Sequence, residues 1–216
     1  MSQEQEENPN FNPYDGHQHS YAIELYFDPA LENQVLKAWN VLARRQITTH
    51  LISISSRPHI TLLVVSSSNP NAPSPPPSAA LHSAIRTFAT RSEPFPICLT
   101  SVATAGSNSL FLLPTPTMPL LQMHSRLCEA VGKEGVEVGE EYRPDTWLPC
   151  CSLAEDVSKS SMAEAFGVLK DMKLPVAGYV MDIGIVEFGN TGYGPVKELF
   201  SIQLGGNGAG AGLQDA

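Results

Sequence analysis

The chain has 216 residues, 42% of them apolar, enough for one full-sized core or for two small lobes sharing one, which excludes wholesale disorder. Thirteen basic against twenty-two acidic residues give a net charge of −9. That balance excludes sequence-independent binding to long nucleic acid, where Lys and Arg neutralise phosphates, yet leaves room for a small anion in a local pocket.

Met1 to Asn10 is polar and acidic, with neither the basic start nor the apolar middle of a secretory leader. No apolar stretch approaches the roughly 18 residues that a membrane span needs. Cys98, Cys128, Cys150 and Cys151 lack the two-pair spacing of a metal site. Adjacent Cys150 and Cys151 point to opposite sides of a strand, so all four read as reduced thiols of an intracellular protein, cytoplasmic or nuclear. His17 and His19 lie in a polar tail and read as solvated residues.

Residues 1–18 and the Gly-rich run 205–216 are expected to be disordered tails around one domain of residues 19–204, and their removal should barely change the melting temperature. Ser20 to Phe27 reads as a strand with Tyr21, Ile23, Leu25 and Phe27 on one face. Asp28-Pro29 is a helix start, and Leu31, Val35, Leu36, Trp39 and Leu42 carry helical spacing to about Ala43. Pro58 to Val65 is a strand rich in β-branched residues. The Pro/Ser/Asn stretch Ser66 to Ser78 then breaks regular structure. Ala79 to Thr90 is a helix, and Phe95 to Ala103 pairs with Leu110 to Leu113 through Gly106-Ser107-Asn108.

The second half repeats this order: a helix over Leu120 to Val131, a strand over Trp147 to Ala154, and a helix over Ser158 to Met172 capped by Ser158 or Ser160. Two last strands follow, near Ala177 to Phe188 and Val196 to Leu204. Because the strand pairs look like hairpins, the fold class is α+β with antiparallel sheets, not a doubly wound parallel sheet.

Two segments echo each other. Arg57-Pro58-His59-Ile60-Thr61-Leu62 and Leu148-Pro149-Cys150-Cys151-Ser152-Leu153 each hold a proline, a reactive side chain, a spacer, a hydroxyl residue and an apolar residue. Residues two apart on a strand share a face, so His59 projects with Thr61, and Cys150 with Ser152. Ile60, Leu62 and Val64 are expected on the opposite, packed face.

A His-x-Thr strand followed some 90 residues later by His-x-Thr/Ser resembles the two-histidine phosphoesterase superfamily, which includes the 2′–5′ RNA ligase-like proteins and the plant cyclic phosphodiesterases. The resemblance runs from Tyr21 to Leu204 and is strengthened by the Trp147-x-Pro149 lead-in. It implies a bilobal, duplicated fold with helices outside and a central groove, the motif strands of the two lobes being expected as facing or adjacent central strands whose outward side chains share that groove. It also implies metal-free and cofactor-free chemistry on a 2′,3′-cyclic or related 2′-linked phosphate of a nucleotide or RNA end. One histidine is then general base and the other general acid, and the hydroxyls hold the phosphate.

Carried over by position, His59 is the first histidine, Thr61 and Ser152 are the hydroxyls, and Cys150 stands where the second histidine belongs. A thiol titrates near 8.5 and is mostly neutral where an imidazole is poised, so Cys150 is a candidate catalytic group only as a neutral donor to the leaving oxygen, without the charge of an imidazolium, and otherwise reads as a small buried residue. Arg57 and Arg143 are candidates for flanking the groove, and the Ser66–Ser78 loop for covering it. The readings that follow are a slow cyclic phosphodiesterase, a pseudoenzyme that binds a nucleotide or RNA end, and a scaffold for an unknown protein partner.

Overall fold

The computed structural model describes residues 19–65, 77–106, 108–189 and 194–206, with only the backbone at positions 19 and 105. The expected N-terminal tail, most of the Ser66–Ser78 loop and all but the first two residues of the C-terminal tail lie outside them. Thirteen elements follow in order: β1 His19–Phe27, α1 Pro29–Arg44, α2 His50–Ser53, β2 His59–Val65, α3 Ala79–Thr90, β3 Phe95–Ala105, β4 Ser109–Pro114, α4 Met118–Lys133, a 3-10 turn Glu140–Tyr142, β5 Cys151–Ala154, α5 Met162–Leu169, β6 Val176–Gly189 and β7 Lys197–Gln203. Among the described residues no helix is long and apolar enough to cross a membrane.

All strand pairings are antiparallel and join in one seven-stranded sheet ordered β2-β1-β6-β3-β4-β5, with β7 also on β6. The long β6 makes this a two-lobed sheet. Its first part, Val176–Val180, pairs with β3, and its second part pairs with β1 and β7. One lobe is therefore β2-β1-β6-β7 and the other β6-β3-β4-β5, and β1-α1-β2 in the first is echoed by β4-α4-β5 in the second. The motif strands β2 and β5 end the order, so each lies at the outer edge of its lobe rather than in the middle as the sequence suggested. They nevertheless meet. The buried Cys151 sulfur is in hydrogen-bond reach of the His59 backbone, and a bridge joins Val65 to Val138.

Local chemistry accounts for the element ends. Asp28 caps α1 by accepting from Ala30 N at 2.8 Å and Leu31 N at 3.2 Å, and Pro29 fits the first turn, where no N–H is needed. The other Asp28 oxygen accepts from Tyr179 N at 2.6 Å, which ties the helix start to β6. Gly178 makes room for that contact, since a Cβ there would lie 2.2 Å from the Asp28 oxygen. Helix α1 then buries Leu31, Val35, Trp39 and Leu42 as its spacing predicts, with Ala38 buried as well and Leu36 half-buried at the margin of the stripe.

Three expectations need correction. The helix expected over Ser158 to Met172 is only Met162–Leu169, because Ser158 accepts from Ser161 N and holds its own turn, as serine clusters do before helices. The strand expected from Trp147 starts at Cys151: Pro149 has no N–H to give a ladder, and Trp147 N donates to Arg143 O. On β2, Ile23 pairs with Leu63 but Glu24 with Thr61, leaving Leu62 as an extra residue. This bulge buries Leu62 and Leu63 together and turns Val64 to the same side as His59 and Thr61.

Candidate active site

His59 opens β2, and its ring is fixed from two sides. Nδ1 lies 2.6 Å from the Arg57 carbonyl, which can only accept, so Nδ1 carries a proton. Nε2 lies 3.4 Å from Glu24 Oε1 on the neighbouring strand. Glu24 is 5% exposed, and its other oxygen accepts from the Tyr26 hydroxyl at 3.1 Å. Burial raises the Glu24 carboxyl above the ordinary range, opposed by the His59 charge and the Tyr26 hydrogen bond. Burial and the same carboxylate push the Tyr26 phenol upward.

Arg57 closes this ring of contacts. Its guanidinium stacks 4.4 Å above the Tyr26 ring and bonds Glu32 Oε2 through Nε at 3.1 Å and Nη2 at 3.0 Å. Asp182 lies 4.0 Å from Nη2. Arg57 therefore serves the backbone and ring that hold His59 instead of lining the groove. Arg143 is exposed, and its carbonyl accepts from Trp147 N.

His59 and Thr61 line one cavity of about 650 Å³. The bulge brings Val64 to its wall, β1 contributes Ala22 and Glu24, and Glu141, Tyr142 and Glu155 close it from the second lobe. No Lys or Arg is found among the described residues lining it. Cys150 and Ser152 are half-buried beside this wall and are not part of it. Burial, followed by the charge of Glu155, pushes the Cys150 thiol up, so it is a neutral group. Cys151, fully buried on the other side of the strand, is pushed to about 12, and all four cysteines are free.

Ser152 does not point a free hydroxyl at the cavity. It donates to Glu155 Oε1 at 2.6 Å, while Glu155 Oε2 lies 3.9 Å from His50 Nε2 at the start of α2. Two indoles hold the motif strands from opposite lobes. Trp147 Nε1 donates to Thr61 O at 3.0 Å, and Trp39 Nε1 donates to Ser152 O at 3.0 Å. His124 stacks on Trp147 at 3.9 Å, and His82 packs against Phe200. Position 17 is outside the described residues, and only the backbone is described at His19. Among the described residues no group of three His, Cys, Asp or Glu is placed to hold a metal ion.

A family model described as the 2′-5′ RNA ligase superfamily matches residues 28–192, most of the chain, and the protein belongs to that superfamily. No curated protein is similar enough in sequence to count as a relative. Solved structures of similar fold include one described as a phosphoesterase, at 16% identity and a TM-score of 0.54, covering 87% of this chain and 98% of that one. The protein TT0787 of Thermus thermophilus is similar at 12% identity and a TM-score of 0.53, covering 87% and 98%. E. coli LigT complexed with NADP+ is similar at 15% identity and a TM-score of 0.51, covering 88% and 99%. At these identities the likeness is one of fold.

Proposed function

We propose that this protein acts on, or binds, 2′,3′-cyclic or related 2′-linked phosphates of nucleotides or RNA ends, with His59 as the retained general acid or base. The observation that carries this reading is the placement of His59 and Thr61 together on the wall of a cavity large enough for a nucleotide. Family membership supports it, as does the fold likeness to a protein crystallised with a dinucleotide. His59 has its tautomer fixed by Arg57 O, the support that a proton-transferring imidazole needs. Thr61 is the hydroxyl on the wall for the phosphate oxygens, while Ser152, the second-motif hydroxyl, is bonded to Glu155 beside it.

A second reading, a catalytically impaired binder, is favoured by Cys150. Its thiol is neutral, stands beside the wall and leaves the site with one motif imidazole. Turnover of a 2′,3′-cyclic nucleotide, measured beside binding of the nucleoside monophosphate product, separates the two. On the impaired reading wild type should turn over slowly or not at all, and Cys150→His should raise the rate by up to roughly 10² to 10⁴, the worth of one acid–base partner. Product binding without turnover in either form would leave the binder. Neither binding nor turnover would remove the phosphate reading altogether.

A further inference from the structure

The motif strand of the second lobe has no imidazole, but that lobe does place an acid–base group on the cavity wall. We propose that Glu155 is the general base of this site and His59 its general acid, so that a carboxylate–imidazole pair replaces the two imidazoles of the parent arrangement. This rests on the phosphate reading above and assigns the group that completes it.

The roles follow from geometry. His59 Nδ1–H is committed to Arg57 O, which leaves Nε2, 3.4 Å from Glu24 Oε1, as the nitrogen that can serve a substrate. A general acid here must carry its proton on Nε2, and the Glu24 carboxyl 3.4 Å away stands where it can act as the counter-charge of that protonated ring, which suits His59 to the donor role. Glu24 cannot be the opposite partner. In-line displacement puts the attacking and leaving oxygens on opposite sides of phosphorus, and two groups 3.4 Å apart cannot serve both.

Glu155 comes from the other lobe, one residue past β5, and lines the same cavity. Its Oε1 is held by Ser152 at 2.6 Å, so the second-motif hydroxyl orients the carboxylate as a support group orients a catalytic base. His50 Nε2 stands 3.9 Å from Oε2, and Cys150 beside it is a neutral thiol. Glu141 and Tyr142 are the other titratable groups that the second lobe brings to the wall.

The step balances without a further reagent. A water bound in the cavity gives a proton to Glu155 as its oxygen bonds to phosphorus. The P–O bond to one ribose oxygen of the cyclic diester breaks, and that oxygen takes the proton from His59 Nε2. The product is a phosphate monoester beside a free hydroxyl. Glu155 returns its proton to solvent and His59 takes one up.

The test is a pH series of kcat on a 2′,3′-cyclic nucleotide for wild type, Glu155→Gln and Glu155→Asp, with binding of the monophosphate product measured for each. Glutamine is isosteric and still accepts from Ser152, so the fold should hold. Glu155→Gln should lower kcat by about 10² to 10⁴ and remove the acid-side fall of the profile, while binding product as well as wild type or better, because a negative charge has left the wall. Glu155→Asp, which keeps a carboxylate, should retain part of the rate and the acid-side fall, and it carries the test if the glutamine variant does not fold. Unchanged kcat in Glu155→Gln overturns the proposal, and so does a faster rate, which would make Glu155 only a repelling charge. Wild type that binds product without turning over substrate overturns it while the phosphate reading stands. Wild type that does neither overturns both.

Discussion

Glu24 is the residue on which stability and chemistry pull apart. A buried carboxyl is costly when charged, and here burial outweighs the help of His59 and Tyr26, so the folded group holds its proton above the ordinary 4.5. A folded value raised above the unfolded one stabilises the fold below the unfolded value, and that contribution is lost as pH rises through the folded value. Glu24→Gln, which keeps an acceptor for Tyr26, should therefore melt higher than wild type at pH 7, with the gain vanishing toward about pH 4. Thermal melts across that range check it; a variant less stable at pH 7 would mean that the ion pair with His59 outweighs burial. His59 and Thr61 are legible in the sequence because alternation on a β-branched strand puts them on one face. Glu24 carries a weaker signal: it is the one charged residue in an otherwise apolar Tyr21–Phe27 strand. Glu155 is not legible as a site residue, because its place on the wall depends on where β5 ends against the first lobe.

At the scale of elements, the two motif strands are edge strands, and each is supported by an indole from elsewhere in the chain. Trp147 bonds the Thr61 carbonyl and Trp39 bonds the Ser152 carbonyl, so each tryptophan restrains the backbone that presents a motif hydroxyl. Phenylalanine at either place keeps most of the packing and removes only the donor. Trp39→Phe and Trp147→Phe should each cost about 1 to 3 kcal/mol, the penalty for an acceptor left unpaired, read from urea unfolding with an unchanged m-value. A cost near zero in both would mean that water replaces the indoles, leaving the strands fixed by packing alone. The strand, helix and hairpin order is readable from period changes because each buried stripe lies within one segment. The Leu62 bulge is not, since it arises from the pairing of β2 with β1, and a bulge shifts a face without changing composition.

For the whole molecule, the duplication visible in the sequence predicts two lobes, but it does not say whether they are separable. Strand β6 decides this. Val180 pairs with Phe27 of β1 and with Phe95 of β3, so one residue belongs to the ladders of both lobes. Three residues on, Ile183 is fully buried and pairs with Leu25 on one side and Ile202 on the other. Helix α1 reinforces the joint from outside, since it follows β1 in the first lobe while its Trp39 reaches β5 in the second. Neither lobe can lose its sheet without stripping partners from the shared strand, and one cooperative transition follows. Ile183→Ala, made within the first-lobe part of β6, should cost about 2 to 5 kcal/mol. It should move the loss of sheet signal in circular dichroism and the change in tryptophan fluorescence to the same lower denaturant concentration. Trp147, in the second lobe, is the informative reporter when Trp39 is replaced by phenylalanine. If its transition stayed at the midpoint of the otherwise identical Trp39→Phe protein while the sheet signal moved, the lobes would unfold independently, and β6 would be a tether between two domains instead of their common strand.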